Sequence, residues 1–201
     1  MVSAIYRKGG KADRYRADSW YPTRDPDAIA ALMIAEQPFM PDGAVYDGAC
    51  GEGDILKIVK GFGRRVIGTD LVDRGYGRGG IDFLSLDKLP ADILIMNPPY
   101  EDGLDEKFLL HALRLQPLYV AMLLKAPFFF CQSRLKVTDI CAPARIYPLS
   151  WRIDFTGQGK PHSPSGWCVF TPRTPTRAND TRFMRALTRP KPRGIVYEDR
   201  I

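Results

Sequence analysis

Asn97-Pro98-Pro99-Tyr100 bring an amide, a stiffened backbone and an aromatic ring together within four residues. Consecutive prolines restrict the chain on both sides of each ring. The amide oxygen of Asn97 can accept a hydrogen bond from an amino group and so orient that nitrogen's lone pair. The ring of Tyr100 can stack on a planar heterocycle. Together they suit chemistry on the exocyclic amine of a base, or on an amide. Just upstream, Ile93-Leu94-Ile95-Met96 reads as a buried strand. Open α/β sheets bind ligands at the carboxyl ends of their strands, which is where this turn is expected.

A second group of residues precedes it. Asp47-Gly48-Ala49-Cys50-Gly51-Glu52-Gly53 connects a short strand, 44–47, to a helix expected over 54–60. Glycines there let a ligand approach the backbone, and the helix start adds N–H donors. The order is not that of a dinucleotide fingerprint. Acids on both sides make the turn poor for a pyrophosphate and suitable for a cationic amino-acid moiety; a plain structural turn is the alternative. Asp70 ends the next strand, 65–70, about twenty residues after the turn, where an acid can bind both ribose hydroxyls of a nucleoside. Leu71 follows it. Asp82 offers an acceptor for an adenine amino group, and Phe83 offers either a stacking ring or ordinary core packing.

These groups need a scaffold. Asp25 as N-cap and Pro26 at the first helical position start a helix that carries Ile29, Leu32 and Met33 and ends before Pro38. Further helices are expected over 106–115 and 128–137, and a strand over 118–125. Strands alternating with helices imply a doubly wound, mostly parallel sheet. Past Ala142 the pattern shifts to short apolar runs. Residues 145–148 and 167–170 read as an antiparallel hairpin, joined by a Gly/Pro-rich loop, 156–166, long enough to be functional. The expected organisation is a basic N-terminal arm over 1–20, a catalytic domain over 21–172 and a basic tail over 173–201.

With 201 residues, 45% of them hydrophobic, the chain suits one compact domain. It has no apolar run long enough for a membrane span, and residues 1–11 lack the apolar core of a signal peptide. The expected compartment is the cytoplasm. The four cysteines are scattered and there are two histidines, so no metal site is expected. The net charge of +6 is concentrated at the two ends of the chain. That favours a polyanion partner such as nucleic acid, with a solvated solubility tail as the alternative.

The series Asp47 to Gly53, Asp70, Asp82-Phe83 and Asn97-Pro98-Pro99-Tyr100 resembles the motifs of S-adenosylmethionine-dependent methyltransferases acting on amino groups. Tyr21-Pro22-Thr23 resembles the extra cofactor motif of adenine-specific DNA methyltransferases, and the motif order matches their gamma-like arrangement. Phe130-Cys131-Gln132-Ser133-Arg134 and Arg152-Ile153-Asp154-Phe155 resemble stretches of small phage and prophage enzymes of this kind, some of which serve restriction-modification. The resemblance covers roughly residues 20–170. It departs in carrying Asp47 where many relatives have Glu. It also leaves no room for a large target-recognition domain, so specificity is short, weak, or supplied by loops such as 156–166.

The resemblance implies a Rossmann-like class I methyltransferase fold, S-adenosyl-L-methionine as cofactor, and methyl transfer to the 6-amino nitrogen of a flipped adenine in double-stranded DNA. It implies cofactor contacts from Tyr21, Thr23, Asp47, Gly48, Ala49, Gly51, Gly53, Asp70, Leu71, Asp82, Phe83 and Asn97. The catalytic residues would be Asn97, Pro98, Pro99 and Tyr100, with Asn97 and the Pro98 carbonyl accepting the two amine hydrogens. Tyr100 would stack on the flipped base, worth about 1–3 kcal/mol per base. Lys125, Arg152, Lys160 and His162 are candidate substrate contacts. No covalent intermediate is needed, so Cys50 reads as a small buried residue of the turn. Two other readings stand beside this one. The first is transfer to another planar amine, a release-factor glutamine or a ribosomal RNA guanine. The second is a non-catalytic nucleic-acid-binding protein with a methyltransferase-like core.

Overall fold

A computed structural model describes residues 21–130, 134–155 and 163–190. One seven-stranded sheet organises them. Its strands are β1 (Val45–Asp47), β2 (Val66–Gly68), β3 (Ile93–Met96), β4 (Tyr119–Lys125), β5 (Arg145–Pro148), β6 (Ser165–Phe170) and β7 (Arg182–Phe183), in the spatial order β2-β1-β3-β4-β6-β5-β7. The β2-β1-β3-β4 half is parallel. β6 runs antiparallel between β4 and β5, and β7 pairs in parallel with β5 at the edge. This is a doubly wound α/β sheet with the expected antiparallel C-terminal pair. The chain reverses direction of winding between β1 and β3, the position at which such sheets open a crevice.

Alternation along the strands builds two cores. On β3, Ile93 and Ile95 face α1 (Pro26–Glu36) and α2 (Asp54–Gly61), whereas Leu94 and Met96 face α3 (Leu104–Arg114) and α4 (Leu135–Ile140). α1 begins as its sequence dictates: the Asp25 carboxylate accepts from Ala28 N at 3.3 Å and Pro26 opens the first turn. Its last residue, Glu36, is fully buried. It takes a two-pronged bond from Arg145 (2.6 and 2.8 Å) and one from Tyr147 (2.5 Å), which locks the first helix onto the C-terminal strand pair.

Four expectations are corrected. Of the helix expected over 128–137, the start belongs to a 3-10 turn, Ala126–Phe130, and the end to α4, while 131–133 lie outside the described residues. The strand expected over 65–70 keeps only Val66–Gly68. Beyond it the chain meets the returning glycine-rich loop, with Asp70 N donating to Arg78 O and Ile81 N to Asp70 O. Ser165 and Gly166 belong to β6, not to the loop before it. The segment read as a basic tail carries structure as far as the described residues reach. It supplies β7, and Arg173 pairs with Asp92 while Arg189 pairs with Asp25 and Asp27. The expected N-terminal arm, 1–20, and residues 191–201 lie outside the described residues. No described helix is long and apolar enough to cross a membrane.

Candidate active site

Three parallel strands end at one cleft. Asp47 ends β1, Asp70 follows β2 and Asn97 follows β3. The cleft is lined by residues 21–23, 47–52, 54–55, 70–71, 82–83 and 97–99, with Arg74, Leu104 and Phe108. Of the twelve residues to which the resemblance assigns cofactor contacts, all but Gly53 line it. Gly53 is the left-handed cap of α2.

The acidic turn is held from below. Asp47 is 1% exposed, and its Oδ1 accepts from Ala49 N at 3.0 Å. Burial pushes its pKa up to about 8, and the nearby carboxylates of Asp70 and Asp54 add to the rise. Asp70 accepts from Gly51 N at 2.8 Å and from Val72 N at 2.9 Å, so this acid clamps the turn as well as facing the cleft. Two glycines prove necessary for a reason other than ligand approach. A Cβ on Gly48 would lie 2.3 Å from the Phe83 ring, and one on Gly53, whose φ is +84°, would lie 2.4 Å from the Tyr76 ring. The turn is glycine-rich because aromatic side chains of the following loops pack on it. Cys50 is buried, its thiol pushed up to about 12 by burial and by Asp47 and Asp70. Such a group is no nucleophile at neutral pH.

Phe83 is 1% exposed and stacks on Phe108 with ring centroids 5.0 Å apart. It forms the cleft wall with its ring committed to the core. Asp82 caps the short turn after it by accepting from Leu84 N at 2.9 Å. Leu71 is 37% exposed at the rim.

The tetrapeptide is tied to the far N-terminal segment. Asn97 is 7% exposed, and its Nδ2 donates to Tyr21 O (2.8 Å) and Thr23 Oγ1 (3.0 Å). Its Oδ1 accepts from the Tyr100 hydroxyl at 2.6 Å, and that hydroxyl also lies 3.1 Å from Leu123 O. Burial raises the Tyr100 phenol well above its ordinary value, which keeps it a donor. Around Tyr100 stand Tyr21, edge-on with centroids 5.2 Å apart, and Phe155, tilted at 6.2 Å. Tyr21 donates in turn to Glu101. Lys125, at the end of β4, places its Nζ 4.1 Å from the Tyr100 ring centroid and 5.0 Å from that of Tyr21. Burial lowers its pKa, against the opposing pull of Glu101 and Asp105.

The structure thus brings the motifs expected at the cofactor to one cleft and sets Lys125 beside the Asn97-to-Tyr100 turn. Arg152 is exposed and is not among the residues that line the cleft. Lys160 and His162 lie outside the described residues. Phe128 is core, beneath the Arg134 guanidinium at 4.8 Å. Sequence reasoning passed over Glu101, although it adjoins the tetrapeptide, and gave no role to Phe155 or Arg74. The first two show no periodicity or spacing that marks them, and they become visible only when the chain folds. No group of three or more His, Cys, Asp or Glu residues among the described residues has the arrangement of a metal site.

No protein-family model matches this chain, and no curated protein matches it. Solved structures do. The methyltransferase subunit of a type I restriction-modification system from Streptococcus thermophilus aligns with a TM-score of 0.60 at 18% identity, over 82% of this chain and 47% of that one. The chain therefore spans about half the length of that subunit. A candidate RNA methyltransferase from Pyrococcus horikoshii aligns with a TM-score of 0.58 at 18% identity, over 77% of this chain and 86% of that one. The magnesium protoporphyrin IX methyltransferase of Synechocystis, solved with bound S-adenosylmethionine, aligns with a TM-score of 0.52 at 16% identity, over 74% of this chain and 78% of that one. What these share with the chain is the architecture: it has the Rossmann-like class I methyltransferase fold.

Proposed function

We propose that this protein methylates the 6-amino group of adenine in DNA, with S-adenosyl-L-methionine as donor. The observation that carries the reading is the fixed amide of Asn97 at a strand end beside the acidic cleft. Both hydrogens of its Nδ2 have acceptors in the 21–23 segment, so its oxygen is the atom presented to a substrate.

The cleft suits the cofactor chemically. Its buried Asp47 carboxyl, with Asp70 and Asp54 close by, has no cation against it among the described residues and would gain one from the ammonium of the amino-acid moiety. Asp70 keeps lone pairs for the ribose hydroxyls after serving its two backbone donors. Leu71 and the Phe83 wall would flank the adenine, and Thr23 would meet the amino-acid end. When bound, the cofactor supplies an electrophilic methyl group on a sulfonium.

The residues of the chain then act on the substrate amine. The Tyr100 hydroxyl now on Asn97 Oδ1 has a second acceptor in Leu123 O, so it can give up the first to an incoming amine. An amine hydrogen-bonded to Asn97 Oδ1 and the Pro98 carbonyl loses conjugation with its ring and becomes a better nucleophile. Rate enhancement comes from this positioning and from the low-dielectric site. The rings of Tyr100, Tyr21 and Phe155 supply aromatic faces for a base taken out of the duplex, and Lys125 a cation for its phosphate or ring edge. The basic character of the chain and the likeness to a restriction-modification subunit support DNA as substrate.

The test is incubation with labelled methyl donor and, separately, duplex DNA, structured RNA and a glutamine-bearing peptide. Modified DNA bases are then mapped by sequencing. Label on DNA adenine is expected. Label on RNA or peptide alone would move the reading to the other planar amines, and no label on any of them would leave a binding protein.

A further inference from the structure

The segment that orients Asn97 is itself held by the C-terminal end of the described chain. Two residues after Thr23, Asp25 is 8% exposed. Besides capping α1, its carboxylate accepts from Trp151 Nε1 at 2.7 Å and from Arg189 Nη1 and Nη2 at 3.3 and 3.1 Å. Arg189 Nη1 also donates to Asp27 Oδ2 at 2.6 Å, and its guanidinium lies over the Trp151 ring at 4.9 Å. The backbone just before Arg189 is anchored beside that of Trp151, with Leu187 N donating to Pro148 O at 2.8 Å and Ser150 N to Leu187 O at 3.0 Å. A bonded path therefore runs from Arg189 through Asp25 and the 21–23 segment to the amide of Asn97.

We propose that Arg189 is a positioning residue for Asn97, acting through Asp25 and the 21–23 segment to keep Asn97 Oδ1 turned toward the substrate amine. The proposal rests on the reading of Asn97 as the amine acceptor. Its physical basis is the near symmetry of an asparagine amide. Rotated by half a turn, it would present an NH2 donor, and the amine hydrogens would lose their acceptor. The acceptors at Tyr21 O and Thr23 Oγ1 favour one orientation, as does the Tyr100 hydroxyl that donates to Oδ1 until an amine displaces it, so once substrate binds the placement of the 21–23 segment sets the populated one. Displacement of a positioning group by about an ångström costs up to about a hundredfold in rate. Asp25 would otherwise be a buried carboxylate with fewer donors, and Arg189 fixes both its oxygens and its direction. The basic residue so used is not available as a general phosphate contact.

The experiment compares full-length Arg189→Ala, Arg189→Lys and Trp151→Phe with the wild type, well below their melting temperatures. It measures kcat, the KM for DNA and its salt dependence. It also measures hydrogen exchange of the Asn97 side-chain amide by 15N NMR, assigned with Asn97→Asp. Arg189→Ala is expected to lower kcat about tenfold and to speed Asn97 amide exchange, with the KM for DNA and its salt slope unchanged. Arg189→Lys keeps the charge but not the two-pronged, stacked geometry and should recover only part of the loss, and Trp151→Phe should show a smaller fall of the same kind. A raised KM with a salt slope lower by about one and unchanged kcat would make Arg189 a phosphate contact and overturn the proposal. So would a lower melting temperature with kcat and amide exchange unchanged. If the wild type methylates none of the substrates, the functional reading fails, while amide exchange alone still decides whether Arg189 orients Asn97. If Arg189→Ala does not fold, the Lys and Phe variants carry the same comparison.

Discussion

The cleft has two halves that are built in different ways. In the half assigned to the cofactor, the defining bonds are short in sequence. Ala49 to Asp47, Val72 to Asp70 and Leu84 to Asp82 each span two residues, and Gly51 to Asp70 spans 19. In the half around the tetrapeptide they are long. Asn97 reaches back 76 and 74 residues to Tyr21 and Thr23, Trp151 reaches 126 to Asp25, and Arg189 reaches 164. A strand-turn-helix unit shapes the first half from within. The second depends on the whole chain having closed around it, so damage should spread differently in the two.

The sharpest division is expected between Asn97→Ala and Asp70→Ala. Removing the Asn97 amide deletes the acceptor for the amine, and a fall of about 10²–10³ in kcat follows by analogy with the loss of one preorganised polar group. Cofactor affinity, measured by calorimetry, should hold within about threefold. Asp70→Ala should do the reverse, weakening cofactor binding by about ten- to a hundredfold, because hydrogen bonds to a charged group are worth about 1.5–3 kcal/mol. Near-normal turnover in the Asn97 variant would remove the tetrapeptide from the chemistry. Unchanged cofactor affinity in the Asp70 variant would leave that acid as a clamp of the turn alone.

The same contrast explains what could be read from the sequence. Strand ends, the glycine turn and the tetrapeptide are contiguous signals, and apolar runs bounded by Asp, Gly and Pro place them. The sheet and most of the residues that line the cleft were therefore legible. Glu101 and Arg189 were not, and Phe155 stood only within a resembling stretch without a role, since their roles arise from partners far away in the chain. Arg189 was read as one charge in a basic tail, because composition reports the sign of a side chain and not its partner. The glycines of the turn were placed correctly for an incomplete reason. Contact of Gly48 with Phe83 and of Gly53 with Tyr76 joins residues 35 and 23 positions apart, beyond the reach of any turn rule.

Those glycine contacts offer a test within the locally built half. Gly48→Ala forces its methyl group into the Phe83 ring, and overpacking of this kind costs about 1–3 kcal/mol. Chemical denaturation should show that loss of stability, with the 21–23 segment and the Asn97 amide unaffected by NMR. Spread of the perturbation to Asn97 would mean that the two halves are coupled. Asp47 tests the electrostatics of the same half. Its pKa in the folded chain, about 8, lies above the ordinary 3.8. The folded chain thus holds a proton that the unfolded chain releases, and this contribution to stability is full below about pH 4 and lost as pH rises through about 8. Asp54 is raised in the same direction. Thermal melting should weaken over that interval, and Asp47→Asn should flatten the slope. Cofactor affinity should strengthen toward pH 8 in the wild type, because an ammonium favours the ionised carboxylate. A pH-independent affinity would place the ammonium elsewhere.

The smallest effect is expected from Tyr100→Phe, and it separates the ring from the hydroxyl. The hydroxyl donates to Asn97 Oδ1 at 2.6 Å and lies 3.1 Å from Leu123 O. In the free protein it therefore stands where the proposed substrate amine would bind. Its removal frees the acceptor and leaves the stacking face, so the KM for DNA should fall about two- to threefold with kcat unchanged. Loss of the tie to Leu123 offsets part of the gain, since a hydrogen bond of this kind contributes about 1 kcal/mol net. Tyr100→Ala should instead raise KM by the worth of the stack, about 1–3 kcal/mol. A Phe variant with lowered kcat would show that the hydroxyl belongs to the machinery and that Asn97 needs its contact to stay oriented. The amide would then depend on its nearest neighbour in the chain as much as on the distant 21–23 segment, and the contrast between the two halves would narrow at the atom where it matters most.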